Sequence, residues 1–236
     1  MTSVNEILQE LSTMGNPNIK ANLTRQGTRE PFGGVKIADL KKIQKRIKVD
    51  HELALKLFDS GNSDAMYLAG LISDPLEMTP EHLNRWAKQA YWHILSEYTV
   101  AQVTAESLHG EQMAKIWIES EKENIASAGW AAYSNVVSVK LDAELDLSIY
   151  ENLLNRLEKE IHHAQNRVRY TMNSYVIAVG CFIAPLTEKA SACAEKIGRV
   201  KADMGETSCK VPDAAAYIRR VKAMGRIGKK RKQARC

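Results

Sequence analysis

Chain breakers and crosslinkers are scarce in this sequence: among 236 residues there are 13 Gly, 6 Pro and 4 Cys. So few turn-forming residues argue against a β-sandwich or barrel and against low-complexity disorder. The cysteines, Cys181, Cys193, Cys209 and Cys236, stand far apart with no C-x-x-C pair. That excludes the usual zinc-ribbon and dithiol redox spacings, and the four read as reduced thiols. No stretch approaches the ~20 apolar residues of a membrane helix, and the start, Met1-Thr2-Ser3-Val4-Asn5-Glu6, lacks a cationic segment followed by an apolar one. A cytoplasmic protein without a membrane partner is the expectation. Equally missing are a His-Glu-x-x-His pattern, a G-x-S-x-G elbow and a Gly-rich phosphate loop. His162 and His163 are neighbours, and adjacent helical side chains point apart. These absences predict no metal site and no cofactor.

What is present is helical periodicity. Leu147, Tyr150, Leu153, Leu154, Leu157 and Ile161 fall on one stripe, with Asn152, Glu158 and Glu160 off it. Thr79-Pro80-Glu81 combines a capping residue, a proline suited to the first helical position and an acid favoured by the helix dipole, so a helix should run from there toward Gln89. Val211-Pro212-Asp213 predicts a last helix over about 213–224, stopped by Gly225. Gly15-Asn16-Pro17, Gly33-Gly34, Ser60-Gly61-Asn62, Asp74-Pro75, Gly110 and Asp142 cut the rest into helix-length pieces. Val136-Val137-Ser138-Val139 is the one strand-like run and reads as a helix end. Two helices per roughly 35–45 residues suits an all-α solenoid of HEAT type, in which stacked antiparallel helix pairs enclose a concave groove. An irregular helical bundle has the same short loops and stays open as the alternative. Residues 1–224 are expected to form a single helical repeat domain, with the protein a monomer, and 225–236 a flexible basic tail.

The charge is uneven. The formal net charge is +5, from 33 Lys and Arg against 28 Asp and Glu. Nine of those cations lie between Arg219 and the end, where there is no acid; without them the remainder holds 24 basic and 28 acidic residues. Such a tail suits a polyanion, and Lys229, Lys230, Arg231 and Lys232 are candidate contacts. Upstream, Lys41, Lys42, Lys45, Arg46 and Lys48 crowd a helix whose apolar side is Leu40, Ile43 and Ile47. A solvated face explains them, and so does phosphate contact, with Lys41 and Lys45 as the candidates. The segment 167–175 places Arg167, Arg169 and Asn173 near Tyr170, groups able to meet a phosphate or base; ion pairing with Glu158 or Glu160 is the competing account. Trp130, beside Gly129 and within a run of small residues, either packs in the core or lines a groove and stacks on a sugar or base.

Three segments together resemble a known family. They are Phe32-Gly33-Gly34-Val35 with the basic helix behind it, Trp117-Ile118-Glu119-Ser120 followed by Gly129-Trp130-Ala131-Ala132, and Met172 to Gly180 ending Ile177-Ala178-Val179-Gly180. Over most of residues 5–200 the chain is similar to the HEAT-like-repeat DNA glycosylases of the DNA alkylation repair family, and the tail looks like a feature of one branch. The resemblance implies duplex DNA held in the concave groove and excision of N3- or N7-alkylated purines, aided by aromatic faces and a carboxylate that stabilises the developing oxocarbenium ion. It also implies where the active residues fall. The family's Trp and the Asp four positions later fall on Tyr98 and Gln102, its central Arg on or beside Trp130, and its second Trp on Cys181. A glutamine carries no charge, so catalysis requires another acid, with Glu97 and Glu106 as candidates and Arg167 or Arg169 in the Arg role. The expected function is therefore DNA binding of the alkylation-repair type, with glycosylase activity through Glu97, Tyr98, Gln102 and Trp130 as one outcome. A noncatalytic α-solenoid scaffold binding nucleic acid or protein is the other.

Overall fold

In the computed structural model, which describes residues 2–235, thirteen α-helices and no strands are found among the described residues. The reading of Cys236 as a reduced thiol falls outside them, while Cys181, Cys193 and Cys209 are free thiols. The helices are α1 (Val4–Thr13), α2 (Pro17–Arg25), α3 (Ile37–Ile47), α4 (His51–Asp59), α5 (Ser63–Ile72), α6 (Pro80–Gln89), α7 (Ala101–Glu106), α8 (Gly110–Trp117), α9 (Glu123–Val139), α10 (Leu147–Glu160), α11 (Asn166–Phe182), α12 (Thr187–Ile197) and α13 (Ala214–Ala223). A π-helical segment, Ile94–Val100, leads into α7. No single helix among them is long and apolar enough to cross a membrane.

Capping chemistry sets most of the helix starts. The Ser3 side chain accepts from the Glu6 amide and Glu6 reaches back to Ser3. Asn16, Asp50, Asn62, Asp146 and Asp213 accept first-turn amides in the same way. Thr79 caps α6, which ends at Gln89 as its sequence predicts. The strand-like run at 136–139 is the end of α9.

The helices stack as pairs: α4 with α5, α6 with the 94–106 segment, α8 with α9, α10 with α11 and α12 with α13, with α1–α3 closing the first end. The second members, α5, 94–106, α9, α11 and α13, pack one on the next more closely than the first members do, so the stack bends around this inner row. Two clusters of buried side chains run through the stack, one from Ile7 to Ala128 and the other from Ala101 to Ala234, and they interleave over α7–α9. Phe58 stacks on Trp86 at 4.1 Å in the first, and Trp130, Tyr133, Tyr150 and Tyr175 meet edge to face in the second.

Two resemblance motifs acquire a physical reason. In the Phe32-Gly33-Gly34-Val35 loop, the buried Asp64 carboxylate accepts the amides of Gly33 (2.7 Å), Gly34 (3.0 Å) and Val35 (3.1 Å). Gly34 holds φ +75°, and a Cβ there would lie 2.5 Å from the Lys20 amide nitrogen. At Gly129 a Cβ would stand 2.8 Å from the Ile118 amide nitrogen. The surface that approaches this run of small residues is therefore α8 of the same protein, and Trp130 beside it is 1% exposed.

Candidate nucleic-acid interface

An α-helix leaves its last carbonyls without intrahelical partners and its C-terminal end partly negative. Four inner segments present such ends along one edge of the groove, and the C-terminal residues cross them in turn. The Gly228 amide donates to the Cys181 carbonyl (2.9 Å) at the end of α11, and the Arg231 amide to the Ser138 carbonyl (2.7 Å) at the end of α9. Lys230 Nζ donates to the Val137 carbonyl (2.9 Å) and pairs with Asp142 (2.8 Å). Glu106, the last residue of α7, accepts the amides of Ala234 (2.6 Å) and Arg235 (3.1 Å) and the Arg235 Nε (2.8 Å). Arg235 Nη1 then reaches the Gly70 and Ser73 carbonyls (both 3.0 Å) at the end of α5. Of the tail expected to be flexible over 225–236, Cys236 lies outside the described residues, and residues 226–235 lie as a docked strap whose amides and cations meet helix-end carbonyls and the Glu106 carboxylate.

Between α9, α11, α13 and the strap lies a cleft of about 830 Å³. Ser134, Asn135, Ser138 and Ser174 form part of its lining, Tyr217 and Phe182 supply aromatic rings, and Arg220, Arg226, Lys229, Lys230 and Arg231 supply five cations. Lys230 is neutralised by Asp142 and its side chain is 12% exposed, so it works as an anchor. Arg220 lies over the Tyr217 ring (4.8 Å) and Arg231 over Phe182 (5.8 Å). Among the described residues, no carboxylate pairs with Arg220, Arg226, Lys229 or Arg231. Lys229, Arg231 and Lys232 are exposed as their sequence position suggests. Arg220 and Arg226 count in the basic surplus, yet composition alone does not place them in a cleft. The available signal is spacing, because Tyr217, Arg220, Val221 and Met224 share one face of α13.

Other candidates land elsewhere. On α3, Lys42 pairs with Asp39 and Arg46 with Glu10, as a solvated face predicts. Lys41 is half-buried. Lys45 and Lys48 line a second groove of about 350 Å³ beside Gln233 and Arg235, so part of the basic helix borders the far end of the strap. Asn173 is fully buried and donates to the Pro212 carbonyl (2.9 Å), which removes it from any surface. Arg169 is half-buried, with no partner for its Nε among the described residues.

Of the positions singled out for catalysis, Glu97, Tyr98 and Arg167 come together, while the others are engaged elsewhere. Trp130 is core, its edge against Tyr175 at 5.2 Å. Glu97 is 4% exposed and bonded in a fork by Arg167, whose Nε donates at 2.8 Å and whose Nη2 also contacts the carboxylate. Burial pushes the Glu97 carboxyl above the ordinary carboxylate range against the pull of that guanidinium. Arg167 in turn covers the Tyr170 ring at 4.5 Å. Glu106 is occupied by the strap. Gln102 borders a small gap with Arg235, and the Cys181 carbonyl is held by Gly228. Burial pushes the Cys181 thiol up to about 11, so it is a neutral packing group. Tyr98 stays 40% exposed on the π-helical segment.

Stacked helix pairs with a basic cleft on the inner side define a helical-repeat protein of the HEAT-like class. A family model described as DNA alkylation repair enzyme matches residues 7–182, and the chain belongs to that family. It is 35% identical over 228 residues to uncharacterized proteins of Listeria monocytogenes and Listeria innocua, covering 94% of this chain and 98% of each relative. It is also similar, along the whole of both chains, to a solved structure with TM-score 0.91 and 34% identity. That structure is described as a new family of proteins related to the HEAT-like repeat DNA glycosylases with affinity for branched DNA structures.

Proposed function

We propose that this protein binds branched DNA on its inner face and leaves the bases in place. The observation that carries the reading is the cleft: Arg220, Arg226, Lys229 and Arg231 converge on one inner-face cavity with no acid to neutralise them among the described residues. Cations so placed release counterions from a phosphate backbone. The described neighbour's affinity for branched DNA supports the choice of partner. The noncatalytic side of the reading rests on the carboxylates. Excision needs a negative charge free to face an oxocarbenium ion. Gln102 has none, Glu97 is buried on Arg167, and Glu106 is bound by three donors from the strap.

The test compares binding of a four-way junction and a linear duplex of equal length, with release of 3-methyladenine and 7-methylguanine from alkylated duplex followed in parallel under single turnover. The expected result is tighter binding of the junction and base release at the spontaneous rate. Equal affinity for both DNAs overturns the partner, and enzyme-dependent release overturns the noncatalytic reading.

A further inference from the structure

We infer that the cleft between α9, α11, α13 and the strap seats an unpaired DNA strand, and that it prefers bases bearing an exocyclic amine, such as cytosine and adenine, over thymine, which has none. This rests on the DNA-binding reading above and deepens it, naming what the cleft takes from a branch point.

Size comes first. A volume of about 830 Å³ falls within the range of pockets that enclose small ligands. It has room for about two nucleotides on that scale, whereas a duplex would have to lie across its mouth.

The floor is built mainly of acceptors. The Ser134 hydroxyl donates to the Trp130 carbonyl (2.8 Å), Ser138 to Asn135 (2.7 Å) and Ser174 to Tyr170 (3.1 Å). Each hydroxyl has one proton and spends it on its own helix, so what remains for a ligand is oxygen lone pairs. Asn135 Nδ2 spends one of its two protons on the Ala131 carbonyl (2.8 Å), which leaves its Oδ1 as an acceptor beside a single remaining N–H. The walls are the reverse. Arg226 and Lys229 offer charge to phosphates, while the Arg220–Tyr217 and Arg231–Phe182 pairs offer flat faces on which bases stack.

Acceptors below and cations at the side complement a nucleotide that carries amine donors on its base edge and a phosphate on its backbone. Cytosine and adenine present such an amine. Thymine presents a single imide N–H between two carbonyls, which set acceptor against acceptor. In a duplex these edges are paired, so the floor reads them only on a strand that has come apart.

Fluorescence anisotropy of the full chain tests this, using labelled short homopolymers of deoxycytidine, deoxyadenosine and thymidine beside a fully paired four-way junction. Deoxycytidine and deoxyadenosine strands should bind about tenfold more tightly than thymidine, the size of one good base contact. Asn135→Ala should erase most of that difference, by weakening the deoxycytidine and deoxyadenosine strands toward the affinity of thymidine. Arg226→Ala, at an exposed position where folding is not at stake, should weaken all three strands together. Equal binding of the three homopolymers, or a preference that survives Asn135→Ala and Ser174→Ala alike, overturns the inference. Junction binding with no homopolymer binding overturns it too, while sparing the DNA-binding reading; failure of every DNA to bind overturns that reading itself.

Discussion

Glu97 and Arg167 form a pair that neither partner can leave cheaply, because the carboxylate is 2% exposed at its side chain and the guanidinium 15%. Removing one charge strands the other in the core. We expect Glu97→Ala to lower unfolding stability by about 3 kcal/mol in urea titrations, with DNA affinity unchanged at temperatures where the variant is folded. Loss of affinity without loss of stability would contradict the structural role. Glu97 recommends itself in the sequence as a replacement acid only because it adjoins Tyr98. Its partner stands 70 residues away, and no spacing rule announces that. His93, near the same pair, is held down to about 4 by burial and then by the Arg167 charge, against an ordinary 6.5. From about pH 6.5 to about pH 4 the unfolded chain binds a proton that the native state refuses. Stability is therefore fully present above that window and falls as pH drops through it, by up to about 1.4 kcal/mol per pH unit. His82, also held down by burial, acts in the same direction. His93→Gln should flatten the slope in a pH series of urea melts, and an unchanged slope would show that His93 is not its source.

Helix starts are the most legible elements, since an Asx, Ser or Thr cap and a first-turn proline are local chemistry. Thr79-Pro80 and Asp213 mark α6 and α13 in the sequence where the structure begins them. The π-helical segment at 94–100 is not legible, because it contains no glycine or proline to flag it. The strap is illegible for a different reason. A run of lysines and arginines with one buried alanine, Ala234, looks solvated, and most of its partners are main-chain carbonyls, which carry no sequence identity. Its docking has a measurable consequence. Truncation after Gly225 removes the amide and side-chain bonds to Cys181, Ser138, Val137, Glu106, Gly70 and Ser73. At about 1 kcal/mol net for a typical bond, set against the chain entropy that the freed strap regains, the expected loss is about 3 kcal/mol. That corresponds to a Tm lower by roughly 6–12 °C for a chain of this size. A free tail would leave Tm where it is. Glu106→Ala should reproduce part of the drop while keeping every cation, which separates the strap's structural contribution from its charge.

For the whole molecule, the sequence shows a basic surplus but not its address. Folding divides it: Lys42, Arg46, Arg156, Lys189, Lys196, Arg219 and Lys222 are drawn into ion pairs. Lys230 and Arg235 anchor the strap. What remains on the inner face is a compact set, and the salt dependence of binding counts it. If Arg220, Arg226, Lys229 and Arg231 each displace one counterion, log K against log salt should fall with a slope of about −3.6 on paired arms. An unpaired strand in the cleft should give about −2.8, because single strands condense fewer counterions. Arg226→Ala with Lys229→Ala should reduce the first slope by about 1.8, with the fold intact by circular dichroism. Should the same slope loss come instead from Lys45→Ala with Lys48→Ala, DNA would be running along the α3 end of the strap, and the inner cleft would not be the principal contact. A slope unmoved by either pair would assign the polyanion to a face of the stack that neither groove touches.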